Sequence, residues 1–245
     1  MIDPRLAGIE LRLSEIGRIV VFSSGKGGVG KSICSSVASL VLAGRGYRVG
    51  LLDLDFHGAS THIFLGAELG FPEENHGILP LELESGVRFM SIAAFTGEDA
   101  VPLRGGDVSN ALIELLTVTV WGTLDYLIVD MPPGIGDEVL DLIRFMRSAR
   151  IVVVTSPSIV SLKVVERLLR MYVELQMDVA GILENMSAYG ARPGGPNSLS
   201  EKLEVPLLGS IPFCPDLESS IGSTRALSKS QFYVEMERII SRLDL

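Results

Sequence analysis

Short runs of consecutive apolar, largely β-branched residues recur along the chain, separated by stretches whose apolar positions fall three or four apart. The runs are 18–23 (RIVVFS), 48–53 (RVGLLD), 87–92 (VRFMSI), 126–130 (YLIVD), 151–155 (IVVVT), 179–183 (VAGIL) and 206–211 (PLLGSI). Most are continuous rather than alternating, as expected of strands covered on both faces. Helical spacing marks 31–43, where Cys34, Val37, Ala38 and Val41 share one stripe, and also 137–147 and 160–176. Leu6, Ile9, Leu13 and Ile16 predict a short leading helix over 4–16, packed on the body or, alternatively, offered to a partner. In the tail, 229–244, a stripe of Phe232, Met236, Ile239, Ile240 and Leu243 predicts a helix docked on the body. Strands alternating with helices predict an α/β fold, a mainly parallel twisted sheet with helices on both faces. No internal repeat interrupts 1–245, which reads as one domain with 1–17 as its leading segment, and 190–196 reads as a loop.

The first run leads into Ser23-Ser24-Gly25-Lys26-Gly27-Gly28-Val29-Gly30-Lys31-Ser32, which opens a predicted helix. Gly25, Gly30, Lys31 and Ser32 satisfy G-x-x-x-x-G-K-[ST], the phosphate-binding loop. Glycines let successive N–H groups converge on one anion, and the helix N-terminus adds partial positive charge. Lys31 is then placed to reach β/γ-phosphates and the Ser32 hydroxyl to ligate Mg²⁺. A rival reading uses the same residues: Gly25, Gly27 and Gly30 also spell G-x-G-x-x-G, and Asp53 ends the second strand as a ribose-binding acid would. That dinucleotide oxidoreductase reading leaves Lys31, Ser32 and the strand-end Asp130 without a purpose, whereas a phosphate loop uses all three.

Asp53 and Asp130 each end an apolar strand, and Asp55 lies just beyond the first. A strand-end acid beside such a loop suits Mg²⁺, directly or through water. Asp55 is placed to orient an attacking water. The following Met131-Pro132-Pro133-Gly134-Ile135-Gly136 is a shaped loop of the kind that senses a γ-phosphate.

The loop Gly25–Ser32 resembles the deviant Walker A of the Mrp/MinD group of P-loop ATPases. The resemblance continues through 51–60 (LLDLDFHGAS), 125–138 (DYLIVDMPPGIGDE), 152–171, 181–187 (GILENMS) and 207–216 (LLGSIPFCPD), nearly the whole chain after residue 17. It implies ATP and ADP as ligands with Mg²⁺, and a nucleotide site of Gly25, Lys26, Gly27, Gly28, Val29, Gly30, Lys31 and Ser32. It further implies that Lys26 reaches the other subunit's phosphates in an ATP-bridged homodimer. By the same resemblance Asp55 positions water, Ser32, Asp53 and Asp130 organise Mg²⁺, and Asn185 and the Pro212 region meet adenine. Mrp-type iron–sulfur carriers of the group place Cys-x-x-Cys soon after the ENMS segment; here 188–197 reads AYGARPGGPN. That departure turns the expectation toward a HypB-type ATPase assisting nickel insertion into [NiFe] hydrogenase with a HypA-type metallochaperone, with the iron–sulfur carrier as the alternative. His57 and His62 are then weighed as transient nickel ligands against ordinary loop histidines.

Composition adds bounds. The 245 residues carry 21 Lys+Arg against 30 Asp+Glu, a formal charge of −9, which disfavours nucleic acid and stable association with anionic membranes. The tail holds three basic residues (Lys229, Arg238, Arg242) and three acidic ones (Glu235, Glu237, Asp244), unlike the basic membrane helix of MinD-like regulators. Two cysteines, Cys34 and Cys214, do not make a disulfide framework, and a cytoplasmic setting is expected.

Overall fold

Strand residues enter two different cores by turns, and this alternation builds the layers. In β1 (Ile16–Ser24), Ile19 and Val21 face one side, while Val20 and Phe22 face the other. The computed structural model describes residues 5–56, 58–96, 105–187 and 195–243. Within them β1 is joined by β2 (Val49–Asp53), β3 (Leu81–Glu82), β4 (Arg88–Ser91), β5 (Leu124–Asp130), β6 (Arg150–Thr155), β7 (Asp178–Ser187) and β8 (Leu207–Pro212). They form one sheet in the order β3-β4-β2-β5-β1-β6-β7-β8. Every neighbouring pair is parallel except β3–β4.

Helices close both faces. Those on one side are α1 (Arg5–Ser14), α5 (Gly105–Val118), α6 (Asp137–Phe145), α7 (Ile159–Glu174) and α8 (Pro196–Leu203), through residues such as Ile9, Leu112, Leu142, Leu168 and Leu199. On the other lie α2 (Lys31–Gly44), α3 (Thr61–Leu65), α9 (Thr224–Leu227) and α10 (Gln231–Ile240). The short α4 (Ala93–Thr96) follows β4. The expected stripe of α2 is fully sequestered, with Cys34, Val37, Ala38 and Val41 all at 0% exposure. No helix of the described residues is long and apolar enough to cross a membrane.

The leading helix and its docking face are corrected. The leading helix ends at Ser14, because Ile16 is drawn into β1 opposite Leu124. Its stripe is used up on α5: Ile9 is buried, and Arg12 donates to the carbonyls of Thr117 (3.3 Å) and His76 (3.1 Å), so packing replaces a free docking face. Most of the expected loop 190–196 lies outside the described residues, and Pro196 begins α8. The tail stripe behaves as expected, with Phe232, Met236, Ile239 and Ile240 buried on α2 and β8.

Because seven strands run the same way, their C-terminal ends share one rim, where sites of α/β sheets form. Ser24, Asp53, Asp130 and Thr155 therefore end side by side across β2-β5-β1-β6.

Candidate nucleotide site

The loop after β1 turns through two left-handed glycines, Gly28 (φ 77°) and Gly30 (φ 80°), before Lys31 begins α2. Gly30 is required twice over. Its φ favours glycine, and a Cβ there would stand 2.1 Å from the Asn185 amide nitrogen. That amide donates to the Val29 carbonyl (3.0 Å), so Asn185, reaching from β7, braces the loop from behind. The loop residues from Lys26 to Ser32 line a cleft of about 210 Å³ that Asp55, Gly58, Ser60, Phe64 and Pro133 complete.

At the cleft floor the charges interlock. Lys31, 5% exposed, places Nζ 2.7 Å from Asp130 Oδ2. Ser32 Oγ donates to the same oxygen at 2.6 Å, and Ser35 Oγ donates to Oδ1 at 3.0 Å. A buried pair of this kind is weak evidence for stability, because desolvation offsets most of its attraction. It does hold an ammonium, a hydroxyl and a carboxylate at the helix N-terminus, where an anion is favoured.

Asp53 lies in register with Asp130 on the adjacent strand and is fully buried. Its Oδ1 accepts from the Asp55 N–H (3.0 Å), and its Oδ2 from the Thr61 N–H and hydroxyl. Burial, then the neighbouring Asp130 charge, pushes the Asp53 carboxyl up to about 7. Asp55, on the loop after β2, takes the Gly58 N–H at 3.0 Å and still lines the cleft. The half-buried Lys26 lines it as well.

A divalent cation suits this donor set. Mg²⁺ takes few protein ligands, usually one or two oxygen donors with waters and phosphate oxygens filling the rest. Ser32 Oγ already sits 2.6 Å from Asp130, and Asp53 adds a second carboxylate beside it. Among the described residues no three His, Cys, Asp or Glu side chains gather into a self-sufficient metal site. His57 lies outside the described residues, and His62 belongs to α3.

The structure thus brings together Gly27 to Ser32, Lys26, Asp55, Asp53 and Asp130. Gly25 packs against α7, where a Cβ would meet Val164 at 2.8 Å. Pro212 ends β8, three strands from β1 along the same rim, opposite Ser187. Two residues that sequence reasoning missed are Ser35 and Thr61. Ser35 follows Ser32 by one helical turn, a spacing that could have flagged it. Thr61 is eight positions after Asp53, and only the fold joins them.

The cysteines are poor ligands. Cys34 is completely buried in α2, and burial followed by the Asp130 charge pushes its thiol well above the ordinary range. Cys214 is 7% exposed with Sγ 3.3 Å from the Pro212 carbonyl, and burial raises its thiol too. Thiolates bind metals, and neither group readily becomes one.

A glycine cradle whose lysine is locked onto a neighbouring strand's aspartate, at the centre of a parallel sheet, places the molecule among the P-loop NTPases. Solved structures agree: the nucleotide-binding protein in complex with ADP from Archaeoglobus fulgidus superposes with a TM-score of 0.79 at 28% identity, covering 94% of this chain and 96% of that one. The cell division ATPase MinD of Pyrococcus furiosus shares the fold (TM-score 0.66, 21% identity, 93% and 98% covered). Within that class the chain belongs to the ParA-type family described as NUBPL iron-transfer P-loop NTPases, whose profile matches residues 15–243. It is 36% identical over 220 residues to an iron-sulfur cluster carrier protein of Rickettsia felis, covering 88% of this chain and 68% of the relative. It is 32% identical over 260 residues to another of that name from Methanocaldococcus jannaschii, covering 97% and 89%. These relatives overturn the expectation of hydrogenase nickel maturation with a HypA-type partner. The missing cysteine pair had argued against the carrier branch, but a loop motif weighs less than similarity spanning the core.

Proposed function

We propose that the protein is a Mg²⁺-dependent ATPase serving iron–sulfur cluster assembly, with its hydrolysis cycle coupled to homodimer formation. The interlocked Lys31, Ser32 and Asp130 beneath a cleft also lined by Asp55 and Lys26 carry this reading. Phosphate oxygens compete with Asp130 for the Lys31 ammonium, while the loop N–H groups and the start of α2 hold the rest of their charge. Ser32, with Asp53 and Asp130, would hold Mg²⁺, which would supply positive charge to the phosphates when bound. Asp55 accepts a hydrogen bond from the attacking water and aligns it. Lys26 of each subunit supplies a second ammonium to its partner's γ-phosphate, the role an arginine finger plays elsewhere. Asn185 and Pro212, toward the β7–β8 end of the rim, face the base.

These 245 residues hold no Cys-x-x-Cys for a cluster. Cys34 and Cys214, buried with raised thiols, do not fit a thiolate ligand set, so the cluster rides on ligands of a partner while this chain supplies the nucleotide-driven step. A reducing compartment such as the cytoplasm suits that work.

Sedimentation velocity in Mg·ATP and in Mg·ADP tests the switch. Doubling of mass with ATP is expected, and it should vanish in Lys26→Ala; an unchanged mass contradicts the coupling. Cluster transfer from a loaded scaffold to an apo-ferredoxin tests the service, with ATP-dependent acceleration expected. Equal rates with and without this protein would remove the iron–sulfur assignment and leave the ATPase standing.

A further inference from the structure

We propose that Thr61 is a positioning residue for hydrolysis: acting through Asp53, it sets the loop that holds Asp55 at the cleft. The inference rests on the ATPase reading above and deepens it, by naming what keeps the partner of the attacking water in place.

The ladder of the sheet runs out just before Asp55. Leu54 still donates its N–H to the Asp130 carbonyl at 2.9 Å, continuing the pairing of β2 with β5. The next N–H, that of Asp55, turns instead to Asp53 Oδ1 at 3.0 Å. An aspartate that accepts the N–H two residues on replaces a backbone turn with a side-chain one. The path of the chain into Asp55 therefore follows from where the Asp53 carboxylate points. The Asp55 carboxylate in turn accepts the Gly58 N–H at 3.0 Å, so its direction depends on the same loop.

Thr61 fixes the plane of the Asp53 carboxylate. Asp53 Oδ2 accepts both the Thr61 hydroxyl and the Thr61 N–H, the latter at 3.3 Å. Both residues are fully buried, where a lost donor is not replaced by bulk solvent. Thr61 lies behind the cleft rather than in its wall, which Asp55, Gly58, Ser60 and Phe64 supply.

The far end of α3 is anchored, so Thr61 is a fixed point rather than a follower. Gly66 closes α3 with φ 65°, and a Cβ there would stand 2.1 Å from the Gly222 carbonyl oxygen. Gly222 donates its N–H to the Phe64 carbonyl at 3.0 Å. The segment carrying Asp55 thus runs between the end of β2 and the first turn of α3, and the Asp53 carboxylate joins the two. A catalytic group displaced by about 1 Å can lose on the order of a hundredfold in rate, so loosening this joint should slow the chemistry without touching the Lys31–Asp130 grip.

The test compares Thr61→Val, which removes only the hydroxyl bond and keeps the backbone donor, with Thr61→Ser, which keeps both. Single-turnover ATP hydrolysis is measured beside Mg·ADP affinity by calorimetry at several Mg²⁺ concentrations. Thr61→Val should lower the hydrolysis rate about tenfold or more, with Mg·ADP affinity and its Mg²⁺ dependence within about twofold of the parent, and Thr61→Ser should restore the rate. In an Asp55→Ala background, Thr61→Val should cause no further loss, because its effect runs through Asp55. An unchanged rate in Thr61→Val, or an equal loss in Thr61→Ser, would overturn the proposal. So would a raised Mg²⁺ requirement or a fall in ADP affinity or melting temperature in step with rate, each of which gives Thr61 a metal-holding or purely structural role. A further tenfold loss in the Asp55→Ala background would also overturn it. A parent that binds Mg·ATP and never turns it over would remove the ATPase reading and this inference together, whereas turnover in the parent with an unaffected variant removes the inference alone.

Discussion

At the centre of the sheet, buried Asp130 receives Lys31, Ser32 and Ser35, and buried Asp53 receives Thr61 and the Asp55 N–H, all within a few ångströms. At the β4 edge, Glu68, Glu73 and Glu82 ring an apolar floor and remain in solvent. Both regions are acidic, yet they differ in what burial does to the charge. In the centre, desolvation makes each carboxylate depend on a fixed donor, so removing one group disturbs the rest. At the edge, water screens the acids, so each stands largely alone. Committed charge is thus concentrated at the centre of the sheet, and uncommitted charge at its edge.

The sharpest way to break this contrast is Asp55→Ala. Because Asp55 lines the cleft without belonging to the Lys31–Asp130 lock, hydrolysis should fall about a hundredfold or more while nucleotide affinity changes little. Loss of affinity in proportion to rate would place Asp55 in the grip rather than in the chemistry. Gly30→Ala comes next. The clash with the Asn185 amide and the left-handed φ should cost about 2–3 kcal/mol of stability, read as a lowered urea midpoint. Ser35→Ala removes one donor from a buried carboxylate and should cost about 1–2 kcal/mol, whereas Glu73→Ala at the edge should cost less than about 0.5 kcal/mol. Equal costs at the two places would dissolve the distinction.

The gentlest probe is pH. Asp53 ordinarily titrates near 3.8 and is raised to about 7 in the fold, so between those values the native state holds more protons than the unfolded chain. The contribution of Asp53 to the stability of the nucleotide-free protein should therefore decline as pH rises from about 4 to about 7, and Asp53→Asn should remove that contribution from the pH profile. A slope unchanged in the variant would locate the titration elsewhere.

The seven parallel strands were legible because two-sided burial leaves continuous apolar runs, as in Leu51-Leu52 and Ile128-Val129, whose alternate residues enter opposite cores. β3 was not, since two exposed residues carry no pattern and only the neighbouring β4 makes them a strand. Ile16 fits a helical stripe and a strand equally well, and its pairing with Leu124 decides the matter. In the site, the loop glycines, Lys31 and Ser32 announce themselves because phosphate geometry demands them at fixed spacing. Thr61 gave no sign, because its partner Asp53 is brought to it by the turn after β2. The nickel expectation failed for another reason: it weighed one absent motif above the rest of the chain.

Isothermal titration of Mg·ADP into the parent protein and into Lys31→Ala tests the central claim most directly. The account predicts saturable binding at one site per chain in the parent and a loss of about a hundredfold or more in the variant. Equal affinity in the two proteins would contradict the assignment of the β1 loop as the phosphate grip.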